Sequence, residues 1–193
     1  MLTAPAALTR FNFTTPTVQW QPVITAVSYQ LQWSTAANFL TNVTTLPLNG
    51  TSHTFNSLPA ANGTFYYWRV RTINIYGAAG AWSLVRTFII DTVPPAVPVL
   101  VGPLESARIT TGSRTITFIW QAVPQAVRYE LQIATDVSFT SLITTQLVSK
   151  TAFTLPTSLA LPNGTYYWRL RAFDQASNNG TYSSGRRMVV NLP

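Results

Sequence analysis

The 193-residue chain has no cysteine, which excludes disulfide bonds and thiolate metal ligands at the outset. It has a single lysine, Lys150, and a single histidine, His53. Its five carboxylates, Asp91, Glu105, Glu130, Asp136 and Asp174, all lie beyond residue 90. Charged residues make up only 9% of the sequence, against roughly 25% in an average soluble domain. No apolar run approaches the about 18 residues of a membrane helix, so membrane insertion is not expected. No segment carries a convincing helical period either.

These absences restrict the chemistry. A first half without acids cannot perform paired-carboxylate glycoside hydrolysis or build a hard-cation site from side chains. His53, in "TSHTFN", has no acid in its own half to orient it, so it reads as a polar strand residue and not as a base. "TYSSG" reads as a turn, not as a nucleophile elbow. Counterparts of the second half's acids in the first include Gln30, Ala36 and Asn74, so these acids are read as incidental to the fold. The expectation is a protein that is not an enzyme, with no cofactor and no metal.

The net charge of +7 comes from eleven arginines and Lys150. A pI near 10.3 raises the question of a nucleic-acid partner. The arginines are spread along both halves, with no basic run longer than Arg186-Arg187. The charge is a scarcity of acids rather than a basic patch, and no nucleic-acid partner is expected. Thr, Ser, Asn and Gln must cover the surface, a neutral coat that suits an extracellular or cell-surface setting. "MLTAPAAL" lacks the basic region and long apolar core of an export signal, and the expectation is a segment of a longer chain.

The apolar content, 47% with 12% aromatic, is enough for a substantial core, and it is written twice. Displaced by 100 residues, Trp20 meets Trp120, "YQLQWSTAANF" (29–39) meets "YELQIATDVSF" (129–139), and "YYWRVRT" (66–72) meets "YYWRLRA" (166–172). Gly80, Ser83 and Arg86 meet Gly180, Ser183 and Arg186 in the same register. A fixed long period marks tandem duplication.

Each copy reads as all-β. "TITFIW" puts Ile116, Phe118 and Trp120 on one face; "YELQI" turns Tyr129, Leu131 and Ile133 inward and Glu130 and Gln132 outward. In "YYWRLRA" the inward set is Tyr166, Trp168, Leu170 and Ala172. "NGT" at Asn49, Asn62, Asn163 and Asn179 punctuates these runs, and is read as a set of hairpin-type turns. Those four, with Asn12 and Asn42, also sit in N-x-S/T frames; the turn reading is preferred to glycosylation. "DTVPPAVPVL" (91–100) separates the copies, and Pro94-Pro95 should make the join short and semi-rigid.

A Trp in the second strand, "YxLQ" in the third and a Tyr opening "YYWRLRA" in the sixth resemble the fibronectin type III domain. The resemblance implies two tandem seven-stranded immunoglobulin-like sandwiches, 1–91 and 92–193, arranged end to end. It also implies core roles for Trp20 and Trp120 and a tyrosine corner at Tyr66 and Tyr166. "RAFDQASNNGTYSS" is similar to wording in bacterial surface modules. The implied role is a stalk, spacer or filament-building segment, whose partners are neighbouring repeats or further copies. A carbohydrate- or cell-wall-binding adhesion module is the alternative.

The candidate functional residues are arginines and aromatics expected on one exposed face. Tyr67, Arg69 and Arg71, with Tyr167, Arg169 and Arg171, alternate outward on the sixth strand. Trp82 and Arg86, with Tyr182 and Arg186, are placed on the seventh. Guanidinium planes can stack on such rings, which resembles the Trp-Arg ladder of cytokine-receptor fibronectin modules. Such a stack either satisfies itself or presents a face to an anionic glycan or a partner.

Overall fold

The computed structural model describes residues 1–60, 62–110 and 115–193. The chain divides into two compact units, Met1–Val93 and Pro94–Pro193. Among the described residues no helix is long and apolar enough to cross a membrane; a single 3-10 turn, Thr157–Leu159, is the only helical feature.

In the first unit the strands are β1 (Leu2–Ala4), β2 (Thr9–Phe11), β3 (Thr17–Trp20), β4 (Ser28–Ser34), β5 (Thr44–Leu48), β6 (Ser52–Thr54), β7 (Thr64–Ile73) and β8 (Arg86–Ile90). They form a three-stranded sheet, β1-β3-β6, facing a five-stranded sheet, β2-β8-β7-β4-β5. The second unit repeats this with β9 (Leu100–Gly102), β10 (Ala107–Ile109), β11 (Thr117–Trp120), β12 (Arg128–Ala134), β13 (Leu142–Val148), β14 (Ala152–Thr154), β15 (Gly164–Phe173) and β16 (Arg186–Val190). Its sheets are β14-β11-β9 and β10-β16-β15-β12-β13.

The expected seven strands become eight segments because the first is split. It begins in the three-stranded sheet, passes a cis peptide (Ala4-Pro5 or Gly102-Pro103), and finishes parallel to the last strand in the other sheet. A proline has no N–H to give a ladder, so the chain leaves one sheet where the proline stands.

Period-two alternation decides what is buried. Trp20, Trp68, Trp120 and Trp168 are all core residues, as expected, and Trp68 and Trp168 are fully enclosed. Trp20 packs edge-on to Tyr29 with ring centroids 5.6 Å apart, and Trp120 meets Tyr129 at 5.4 Å. The phenol of each tyrosine accepts a backbone N–H, from Val23 or Val123, at 2.9 Å. Tyr66 donates to the Pro59 carbonyl at 2.6 Å, and Tyr166 to that of Pro162 at 2.8 Å, closing both tyrosine corners. Burial raises the pKa of Tyr66.

The "NGT" reading needs correction. β6 and β7 lie in different sheets, as do β14 and β15, so the repeated phrase crosses the sandwich and makes no hairpin. Of the four glycines only Gly63 takes a left-handed φ, 76°. Gly164 already belongs to β15, and its neighbour Asn163 pairs both side-chain atoms with the Leu192 backbone. At Gly180 a Cβ would lie 2.6 Å from the Pro95 carbonyl oxygen; there glycine permits close backbone approach.

Candidate functional site

The outer face of each five-stranded sheet is set by cross-strand register. Gln32 stands opposite Arg69, and Gln30 opposite Arg71; in the second unit Gln132 faces Arg169, and Glu130 faces Arg171. Neighbours in register are near enough for long side chains to meet. Arg69 donates from Nε and Nη2 to Gln32 Oε1 at 3.0 and 2.9 Å. Arg71 donates from Nε to Gln30 Oε1 at 2.7 Å, and Arg169 from Nε to Gln132 Oε1 at 2.9 Å. Arg171 pairs with Glu130 at 3.1 Å.

Held edge-on by these acceptors, the guanidinium planes lie over rings. Arg69 sits 4.2 Å from the Phe39 ring centroid and 4.7 Å from that of Trp82, which also takes Arg71 at 4.5 Å. In the second unit Arg169 lies 4.2 Å from Phe139 and 4.0 Å from Tyr182. Arg171 lies 4.7 Å from Tyr182 and 5.0 Å from Phe173, and Arg128 reaches the same Phe173 at 5.0 Å. The first stack runs Phe39, Arg69, Trp82, Arg71. The second is longer by two rungs, because Ile73 and Ser28 occupy in the first unit the places of Phe173 and Arg128.

Tyr182 donates its phenol proton to Glu130. Burial, then that hydrogen bond and the nearby carboxylate, push its pKa up to about 12. This phenol keeps its proton near neutrality and stays a hydrogen-bond donor to Glu130.

Phe39 and Phe139 enter the stacks from a turn and not from a strand. Each has a left-handed φ of 56°, which costs a non-glycine residue about 1–2 kcal/mol. Each turn is closed by a backbone bond, Phe39 N–H to Ala36 O at 3.1 Å and Phe139 N–H to Asp136 O at 3.2 Å. Asp136 further accepts the N–H groups of Ser138, Thr140 and Ser141. Led by the bonds from Ser141 and Thr140, these hold its carboxyl below the ordinary range.

The candidate residues therefore separate into three groups, and all ten are half-buried rather than exposed. Arg69, Arg71, Trp82, Arg169, Arg171 and Tyr182 form the stacks. Trp82 and Tyr182 lie in the irregular segment before the last strand, not on it as expected, since β8 and β16 begin at Arg86 and Arg186. Arg86 and Arg186 leave the stacks altogether. Arg86 donates to the carbonyls of Pro5 and Leu2 at 3.0 and 2.9 Å, and Arg186 to those of Pro103 and Leu100 at 3.1 and 2.8 Å. Each clamps the last strand to the split first strand. Tyr67 and Tyr167 stand one position beyond the guanidiniums on the same face, opposite Ser34 and Ala134.

The units differ at a second place. Trp33 of β4 is half-buried and stacks on His53, ring centroids 5.9 Å apart, and meets Phe55 edge-on at 5.1 Å. With Thr35, Asn42, Thr44 and Tyr66 it lines a groove of about 440 Å³. Burial lowers the pKa of His53. In the second unit the equivalent residues are Ile133, Phe153 and Leu155, and both Ile133 and Leu155 are fully enclosed. Among the described residues no three His, Asp or Glu side chains gather where a metal could be held.

No protein-family model matches the sequence, and no curated protein matches it. Among solved structures, 422 chains match. The chicken CNTN1 FN1-FN3 domains align with a TM-score of 0.63 and 16% identity, over 96% of this chain and 63% of that one. The chain thus spans less than two thirds of that relative's length. The Clostridium thermocellum CbhA fibronectin(III)-like modules align with a TM-score of 0.57 and 12% identity, over 100% of this chain and 94% of theirs. At such identities the likeness is one of fold: the chain folds as two tandem fibronectin type III-like modules.

Proposed function

We propose that the chain is a non-catalytic structural segment of a repeat-containing surface protein, acting outside the cell as a stalk, spacer or filament-building part. One observation carries this reading. The side chains that the duplication repeats most faithfully are spent on the sandwich itself. Arg69, Arg71, Arg169 and Arg171 meet acceptors on the adjacent strand and stack on rings, Arg71 on one and the other three on two each, while Arg86 and Arg186 cap backbone carbonyls. Fibronectin-like likeness supports the same class of role.

The groove at Trp33 favours a second reading, a module that binds neutral carbohydrate. Its rim is threonine and asparagine with no charged side chain, and the aromatic floor can stack on a sugar ring. Trp82 and Tyr182 are poorer platforms, because guanidiniums already cover them. A glycan and cell-wall polymer array probed with the intact chain tests the two. The structural reading expects no binding above background. A signal lost in Trp33→Ile, which installs the second unit's own residue, would replace it with the carbohydrate reading.

A further inference from the structure

We infer that β13 is a self-association edge, and that a second copy of this chain adds its own β13 to it, antiparallel, about a two-fold axis. β13 is the outer strand of its sheet, paired on one side only, with β12. Its register sets Val148, Gln146 and Thr144 opposite Tyr129, Leu131 and Ile133, and Leu147 and Thr145 opposite Glu130 and Gln132. The Leu170 N–H, opposite Leu131, goes to Ser183 Oγ at 3.1 Å. Leu131 and its alternates therefore turn their backbone groups toward β13, and Gln146 turns its own toward them. By alternation the N–H and C=O groups of Thr145 and Leu147 point away from the sheet.

The first unit shows what closes such an edge. Its equivalent strand β5 has Pro47 where β13 has Leu147, in the same register opposite residue 30 or 130. A proline nitrogen can sit only where the ladder asks for no donor, so Pro47 removes an outward donor from that edge. β13 contains no proline and no charged side chain over its seven residues. It is two residues longer than β5. Three of its apolar side chains are open: Leu147 is 63% exposed, Leu142 44% and Ile143 37%; the strand also carries the neutral Thr144, Thr145 and Gln146.

The occupant follows from self-complementarity. Centred on Gln146, two antiparallel copies set Thr145 opposite the partner's Leu147 and the reverse, and each such pair can exchange two hydrogen bonds. The two Leu147 side chains become diagonal neighbours on one face. Both strands are neutral, so no like charges oppose the pairing, as they would if either carried the Lys or Glu that commonly guards an edge. The five-stranded sheet would continue across the axis into ten strands. This rests on the structural form of the proposed function and gives it a partner, a second copy joined in a closed two-fold pair; its failure would leave the stalk and spacer forms standing, since the glycan array tests those separately.

The test is sedimentation equilibrium and light scattering of the full chain over a wide concentration range. Wild type should shift from monomer to dimer as concentration rises. Leu147→Pro, a residue the first unit already accommodates at this site, should stay monomeric with unchanged circular dichroism, and Leu147→Lys should weaken the dimer at least tenfold. Pro47→Leu, which opens the first unit's edge, should yield species larger than dimers. A wild-type chain that stays monomeric to about 1 mM overturns the inference. So does a dimer that persists undiminished in both Leu147 variants.

Discussion

Arg169 is the most informative residue to perturb, because both faces of its guanidinium are covered. Phe139 lies at 4.2 Å, Tyr182 at 4.0 Å, and Nε donates to Gln132 at 2.9 Å. Each half-exposed ring contact contributes about 0.5–1 kcal/mol. A hydrogen bond from a charged donor contributes about 1.5–3 kcal/mol, and the lower end suits this half-buried site. Arg169→Ala should then destabilise the second unit by about 2.5–4 kcal/mol. Arg169→Lys keeps the charge but loses the plane and the Nε donor, and should still cost about 1–2 kcal/mol. The sharper measurement is a double-mutant cycle with Tyr182→Ala, for which a coupling of about 0.5–1 kcal/mol is expected. Urea titration of the full chain supplies the energies, with hydrogen exchange of β12 and β15 peptides assigning them to the second unit. If Arg169→Lys costs less than about 0.3 kcal/mol and the cycle shows no coupling, planar stacking does not hold this face together.

Three further outcomes are expected. Trp120→Ala should destabilise the second unit by about 3–5 kcal/mol through lost burial and the cavity left behind, measured by urea unfolding. His53 has a pKa lowered from 6.5 by burial. Stability of the first unit should therefore be intact above about pH 6.5 and decline as pH falls through the lowered value; His53→Phe, the second unit's residue, should remove that decline in unfolding midpoints compared at about pH 7 and 5. Gly180→Ala drives a Cβ to 2.6 Å from a backbone oxygen of Pro95, whereas at Gly80 the nearest atom is the Thr72 hydroxyl, at 2.7 Å. Thermal unfolding should show a cost of about 1–3 kcal/mol for Gly180→Ala, and a smaller one for Gly80→Ala, where the hydroxyl can rotate away.

Alternation made much of the fold legible, because burial on one face of a strand leaves a period of two in the sequence. The inward sets of β12 and β15 and the four core tryptophans are where that period places them. The four stacked arginines, Arg69, Arg71, Arg169 and Arg171, follow from the outward phase of β7 and β15. Phe173 and Arg128 obey that phase too, but as the last residue of β15 and the first of β12 they lie one residue beyond the alternating runs "YYWRLRA" and "YELQI". Phe39 and Phe139 could not be found this way, because a left-handed turn and not a strand period delivers them. Arg86 and Arg186 were misplaced for a different reason. Their partners are carbonyls more than eighty residues earlier, and nothing local in the sequence marks a bond across that distance.

The repeated rungs differ at two places, Trp82 against Tyr182 and Gln30 against Glu130, and the second shows what the face has retained. Gln30 accepts from Arg71 in the first unit; Glu130 takes its place in the second and accepts from both Arg171 and Tyr182. A neutral amide has become a carboxylate, yet the guanidinium keeps nearly the same distance to the ring above it, 4.5 Å to Trp82 and 4.7 Å to Tyr182. Had the arginines served to collect an anion, a carboxylate placed among them would compete for the same donors and weaken the site. As members of a stack they need only one acceptor in the sheet to hold each plane beneath its ring: Arg71 gives Gln30 its Nε, and Arg171 gives Glu130 its Nη2 while its Nε is left without a hydrogen-bond partner among the described residues. Tolerance of either acceptor is what a face built around its own stack requires. The places where the two units differ in kind, the Trp33 groove and the Pro47 or Leu147 edge, are where recognition could have diverged after the duplication.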